Sequence, residues 1–118
     1  MAFLTFLDDG AGRKDYNSVY GAEDAAVCAA TSRYLYVNAL NCSGDLVVFC
    51  SGAATIELNT VACQTLTLFV GHAATVRING GNIQKIQGSV THASTCVNKA
   101  DTKSDSVTKD SDSTYIHN

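Results

Sequence analysis

Three histidines, five cysteines and a group of aspartates are the side chains this chain could use for chemistry, and their spacing argues against each obvious use. His72, His92 and His117 fall in separate segments with no HxH or HxxxH pattern, so a metal site would need ligands from three distant places. Cys63 and His72 pair by type as nucleophile and base. Yet Cys63 precedes a strand rather than a helix N-terminus, and no third residue is evident to orient the histidine. Gly10-Ala11-Gly12-Arg13-Lys14 lacks the spacing of a phosphate-binding loop and the helix that follows one. Asp101, Asp105, Asp110 and Asp112 miss the calcium-loop spacing, and lysines interleave them. The expectation is a protein with no catalytic residue, metal or cofactor, and not an enzyme.

Cys28, Cys42, Cys50, Cys63 and Cys96 include no CxxC pair, which removes the common zinc and redox motifs. Their number is odd, so at least one thiol stays free or pairs between chains. Two readings stay open: buried thiols acting as small hydrophobes, and disulfides that mature after assembly or release from a reducing cell. Asn41-Cys42-Ser43 matches a glycosylation sequon but is discounted, because no signal peptide is read. The start, MAFLTFLDDGAG, has neither the basic region nor the long apolar region of a signal peptide, so a chain made in a cytoplasm is expected.

The elements that must position these residues read as strands. From Ser32 to Ile78, apolar and polar residues alternate in short bursts separated by Gly, Asn and Ser. Leu35, Val37 and Ala39 share a side, as do Leu46, Val48 and Cys50. Ile56 and Leu58, then Leu66, Leu68 and Val70, then Val76 and Ile78 repeat the arrangement. Strand centres recur every ~8–12 residues, and no helix-length segment separates them, which predicts antiparallel pairing. Asn79-Gly80-Gly81-Asn82 reads as a tight hairpin, and no internal repeat is read. The expected fold is all-β, an antiparallel β-sandwich or small barrel of about six to eight short strands with extended terminal arms.

Composition sets the limits of that domain. Leu, Ile, Val and Phe number 28 of 118 residues and Ala 15, so the core is thin and rich in small side chains. A net charge of −3, with eight scattered basic residues, excludes a nucleic-acid footprint. No apolar run approaches the ~20 residues a bilayer requires. Residues 1–24 read as an N-terminal arm and loop, 25–97 as the β domain and 98–118 as a polar C-terminal arm of Ser, Thr, Lys and Asp. Phe3 and Phe6 at one end, Tyr115 and Ile116 at the other, and Tyr34 and Tyr36 on one strand face are the interface candidates. The tyrosine pair also suits a glycan-stacking platform, which gives the alternative of a glycan-binding β-sandwich.

The succession "YLYV", "GDLVV", "ATIELNTVA" and "TLTLFV…ATVRI" over Arg33–Ile78 resembles small all-β structural proteins of tailed bacteriophage virions, of the head-decoration, cement and spike-base type. The resemblance implies a homotrimer seated on the head lattice with the major capsid protein as partner, located in the virion and lacking a catalytic residue. On that reading the protein is a capsid cement.

Overall fold

Alternating strands need hydrogen-bond partners, and in this chain each finds them in the strand about twenty residues away. The computed structural model describes residues 3–9, 12–22, 24–30 and 33–117, with side chains for 15–17, 26–29 and 34–117. In chain order the strands are β1 (Phe3–Asp9), β2 (Gly12–Ala22), β3 (Asp24–Ala30), β4 (Arg33–Cys42), β5 (Asp45–Cys50), β6 (Thr55–Val70), β7 (Thr75–Ile78), β8 (Gly81–Val90), β9 (Thr95–Asn98), β10 (Asp101–Lys109) and β11 (Thr114–His117). Every pairing between them is parallel. The chain winds as a β-solenoid of about five turns.

One face stacks β1, β3, β5, the second half of β6, β8 and β10. The other stacks β2, β4, the first half of β6, β7, β9 and β11. A short side through Leu40–Cys42, Val61–Cys63 and Gly81–Ile83 joins them. The antiparallel sandwich or barrel expected from the sequence is therefore wrong. A parallel pair does need a long connection, but here that connection is the strand on the opposite face of the same turn, so no helix is required. Asn79–Asn82 makes a corner between β7 and β8, and no hairpin forms there.

Register shows the repeat that the letters conceal. Leu35 stands on Ile56, Ile56 on Val76, Val76 on Cys96 and Cys96 on Tyr115. Leu46, Leu66 and Ile86 form a second inward column, and Val37, Leu58 and Ile78 a third. All of these apart from Tyr115 are buried, so the inward side read from the alternation is the core side. Asparagines stack on the outside: Asn59 Nδ2 donates to Asn38 Oδ1 at 3.0 Å, and Asn38 Nδ2 to Asn17 Oδ1 at 3.3 Å. Such amide ladders suit a stack in which each residue meets its own kind one strand spacing away.

Extended terminal arms are also overturned. The segment read as a polar arm supplies β10 and β11, the last turn. Its inward columns turn polar: Asp105 follows Ile86, and His117 follows the buried Asn98. The Tyr115 hydroxyl donates to Asp105 Oδ2 at 2.7 Å, and His117 Nδ1 lies 2.7 Å from the same oxygen. Burial, and then the Asp105 acceptor, push the Tyr115 phenol well above its usual range. Asn98 donates to Thr102 Oγ1 at 3.0 Å and accepts from the Ala100 N–H at 3.0 Å. The polar groups of this turn thus bond among themselves beside the apolar core. At the other end β1 contains Phe3 and Phe6, whose side chains lie outside the described residues.

Two glycines fix the path of β8. Gly81 and Gly88 have φ of 121° and 124°, and a Cβ on either would lie 2.0 Å from a carbonyl oxygen of the turn before, that of Val61 or Leu68. Gly88→Ala should therefore destabilise the fold by about 2 kcal/mol or more. Gly71→Ala, whose new methyl would meet nothing closer than Thr91 Oγ1 at 3.5 Å, should stay within about 0.5 kcal/mol. Urea midpoints of the two variants against the parent chain test the contrast.

Candidate binding face

The outward column of the first face runs Cys28, Phe49, Phe69, Ser89 and Thr108, and beside it run Ala26, Val47, Thr67, Gln87 and Ser106. Its early turns are apolar and its later turns polar. Phe49 and Phe69 are each 46% exposed, with ring centroids 6.4 Å apart and planes tilted by 42°. Next to them the corners carry His72 and His92, whose rings stack at 4.7 Å. Together with Ser89 and Thr91 they line a groove of about 210 Å³. This is an aromatic floor with an imidazole wall.

The histidines are positioned by backbone strain. His72, Ala73, His92 and Ala93 have φ of 58°, 64°, 59° and 61°, the left-handed region that costs an L-residue on the order of 1 kcal/mol. His tolerates it better than most side chains. Bonds between corners offset the cost: the Ala53 N–H donates to the His72 carbonyl and the Ala73 N–H to the His92 carbonyl, each at 2.9 Å. Ala54, Ala74, Ser94 and Ser113 turn inward behind these corners and are buried. In the last turn Asp110 takes over as anchor. Its carboxylate accepts the His92 N–H at 3.0 Å, and that bond, with help from Ser113, holds the carboxyl below its ordinary 3.8. The groove can hold a flat apolar group or a protein side chain. On its wall His92 Nδ1 lies 3.0 Å from the Thr91 hydroxyl oxygen, and among the described residues no carboxylate is seen to orient that imidazole.

The residues singled out in the sequence lie elsewhere. Tyr34 and Tyr36 are half-buried on the second face, where the Tyr34 hydroxyl donates to Glu57 and the Tyr36 hydroxyl to Asn38 Oδ1 at 3.4 Å. Glu57 also accepts from Asn79 Nδ2 at 2.9 Å. Tyr115 packs on the last turn, and Ile116 is exposed beside it. Cys63 and His72 line different grooves, so they form no dyad. Among the described residues no three His, Cys, Asp or Glu side chains converge as metal ligands. Cys50 and Cys96 are sealed in the core, and burial pushes each thiol up to about 12. The groove residues were missed, although Phe49 and Phe69, like His72 and His92, recur at the twenty-residue interval that marks a turn.

Compared with protein-family models, with curated proteins and with solved structures, the chain matches none.

Two outcomes follow from this geometry. Because the folded carboxyl of Asp110 is more acidic than the unfolded one, its contribution is complete above 3.8 and disappears as pH falls through the lower folded value. Protection of the His92 amide, its exchange measured against the intrinsic rate at each pH, should fall over that acid range in the parent chain, and Asp110→Ala should lack that protection at every pH. Replacing the exposed phenyls, Phe49→Ser with Phe69→Ser, should cost about 1 kcal/mol or less per site while removing most binding of a hydrophobic fluorescent dye. Dye titration beside a thermal melt measures both.

Proposed function

We propose that the protein is a structural module that joins a partner protein surface, in the manner of the capsid cement expected from its sequence. The observation that carries the reading is the exposed Phe49–Phe69 pair on a flat, regularly spaced face whose later turns are polar. Exposed phenyls cost solubility unless something covers them, and aromatic residues are enriched where protein surfaces meet. A stack of parallel turns supplies rigidity, since each turn is bonded to the turns above and below it. On a repeating lattice, many copies of a modest apolar contact add up by avidity. The head lattice of a tailed phage, with the major capsid protein as partner and the chain itself as a homotrimer, is the proposed setting. It rests on the Arg33–Ile78 likeness alone.

The glycan-binding alternative keeps one supporting feature. Tyr34 and Tyr36 share the second face with Glu57, Arg77 and the asparagine ladder, a set of aromatic, amide and charged groups of the kind that sugars meet. A glycan array with Tyr36→Ala as control separates it from the structural reading.

Light scattering of the purified chain, and co-sedimentation with the head shells of its own virus, test the leading reading. A trimer that pellets with shells, and loses that ability when Phe49 and Phe69 become Ser, is the expected outcome. A monomer that stays in the supernatant would overturn it.

A further inference from the structure

Register places one pair of cysteines directly against each other. Leu40 stands on Val61 and Asn41 on Ala62, so the next step along both strands sets Cys42 on Cys63. Adjacent strands run about 4.8 Å apart, inside the roughly 4.4–6.8 Å separation of α-carbons that a disulfide spans. Both side chains turn to the same side, 4% and 7% exposed. Their sulfurs are close enough for a hydrogen bond, which, ahead of burial, raises the Cys63 thiol far above its usual range. Cys42 Sγ also donates to the Gly44 carbonyl oxygen at 3.8 Å.

The other cysteines lack this arrangement. Cys50 and Cys96 are fully enclosed, with Cys50 Sγ donating to the Ala54 and Thr75 carbonyl oxygens. Cys28 is half-buried on the first face, against Phe49 in register. Cys42 and Cys63, by contrast, line a groove of about 310 Å³ with Ser43, Gln64, Asn82 and Gln84. A small oxidant can reach them there through amide and hydroxyl groups suited to a peptide backbone.

We propose that Cys42 and Cys63 are a reversible inter-turn redox pair, closed to a disulfide by a low-molecular-weight disulfide such as oxidised glutathione. One cysteine of the pair, as its thiolate, attacks one sulfur of the oxidant, forming a mixed disulfide and expelling one small thiol. The other thiol then gives up its proton to solvent, and its sulfur attacks the Sγ of the first and expels the second small thiol. Two protein S–H bonds become one S–S bond, and the oxidant leaves as two reduced thiols. The new bond ties β4 to β6 across one turn, so it fastens the early turns that carry Phe49 and Phe69. This inference is independent of the partner proposed above.

The test is oxidation of the full chain by oxidised glutathione, with a dithiothreitol-treated sample as reference. The expected product is a monomer that has lost two hydrogen atoms and titrates two fewer thiols. Cleavage after Glu23 and Glu57 should leave residues 24–57 joined to residues 58–118, with fragmentation of the joined peptide placing the bridge at Cys42 and Cys63. Oxidation should raise the thermal midpoint, Cys42→Ala should abolish both changes, and Cys50→Ala should retain them. Five reactive thiols after unfolding of the oxidised sample, a retained glutathione adduct, a bridge through any other cysteine or a bridge between chains would each overturn the proposal. The parent chain alone gives these outcomes, so a poorly folding variant does not blunt the test.

Discussion

Hydrogen bonding of each turn to the next is the constraint on which the rest of this structure depends. In a parallel stack about 4.8 Å apart, equivalent positions recur above and below one another. Each side chain must therefore tolerate a neighbour at its own place in the turn. Leu, Ile and Val meet that condition by packing, and Asn38 and Asn59 meet it by bonding amide to amide. Charges meet it by alternating: Glu57 stands between Tyr36 and Arg77, so no like charge stacks there. A thin, small-residue core suffices because the backbone ladder runs the whole length of the stack.

Corners are where the constraint is expensive. Two left-handed residues in succession at Gly52-Ala53, His72-Ala73 and His92-Ala93 turn the chain from one face to the other. Glycine would adopt those angles freely, yet only the earliest of these corners uses it. The other two carry His, and stacked imidazoles beside Phe69 gain contact that a glycine could not make. Strain kept at a repeated position, where a less strained residue was possible, is a reason to read the corner as part of the binding face.

Strand positions from β3 to β8 were legible from the sequence, β2 was taken for a loop, and direction was not legible. Period-two alternation in β4 to β8 identifies the inward side chains whether the neighbouring strand runs parallel or antiparallel, so Leu35, Leu46, Ile56, Leu66 and Val76 were read correctly as core. Gly-Asn corners look like hairpins because both need φ > 0. The last turn was misread because its composition has almost no apolar residue. Its stability comes from backbone bonds to β8 and β9 and from Tyr115 and Asp105, none of which composition can show. The groove was illegible for a related reason. Phe69 was visible as outward, but its meeting with Phe49 depends on register, and register was hidden until the twenty-residue repeat was recognised in TIEL, TVRI, TCVN and TYIH.

Outward columns are the places where this fold leaves the sequence free, and departures from polarity there call for a cause. Inward columns are apolar through the middle turns, and small residues, Ala54, Ala74 and Ser94, are buried behind the corners. Nothing in the stack requires phenylalanine at 49 and 69, since Ser89 and Thr108 fill the same column without disturbing the ladder. A solenoid with Ser or Thr throughout that column would be as well bonded and more soluble. The pair is therefore better explained by contact with another surface than by folding, and the Cys42–Cys63 step lies in the turn that joins their strands. On the reading proposed above, the exposed phenyls place the contact on the early turns, and the outward side of the turn made by β10 and β11 is polar.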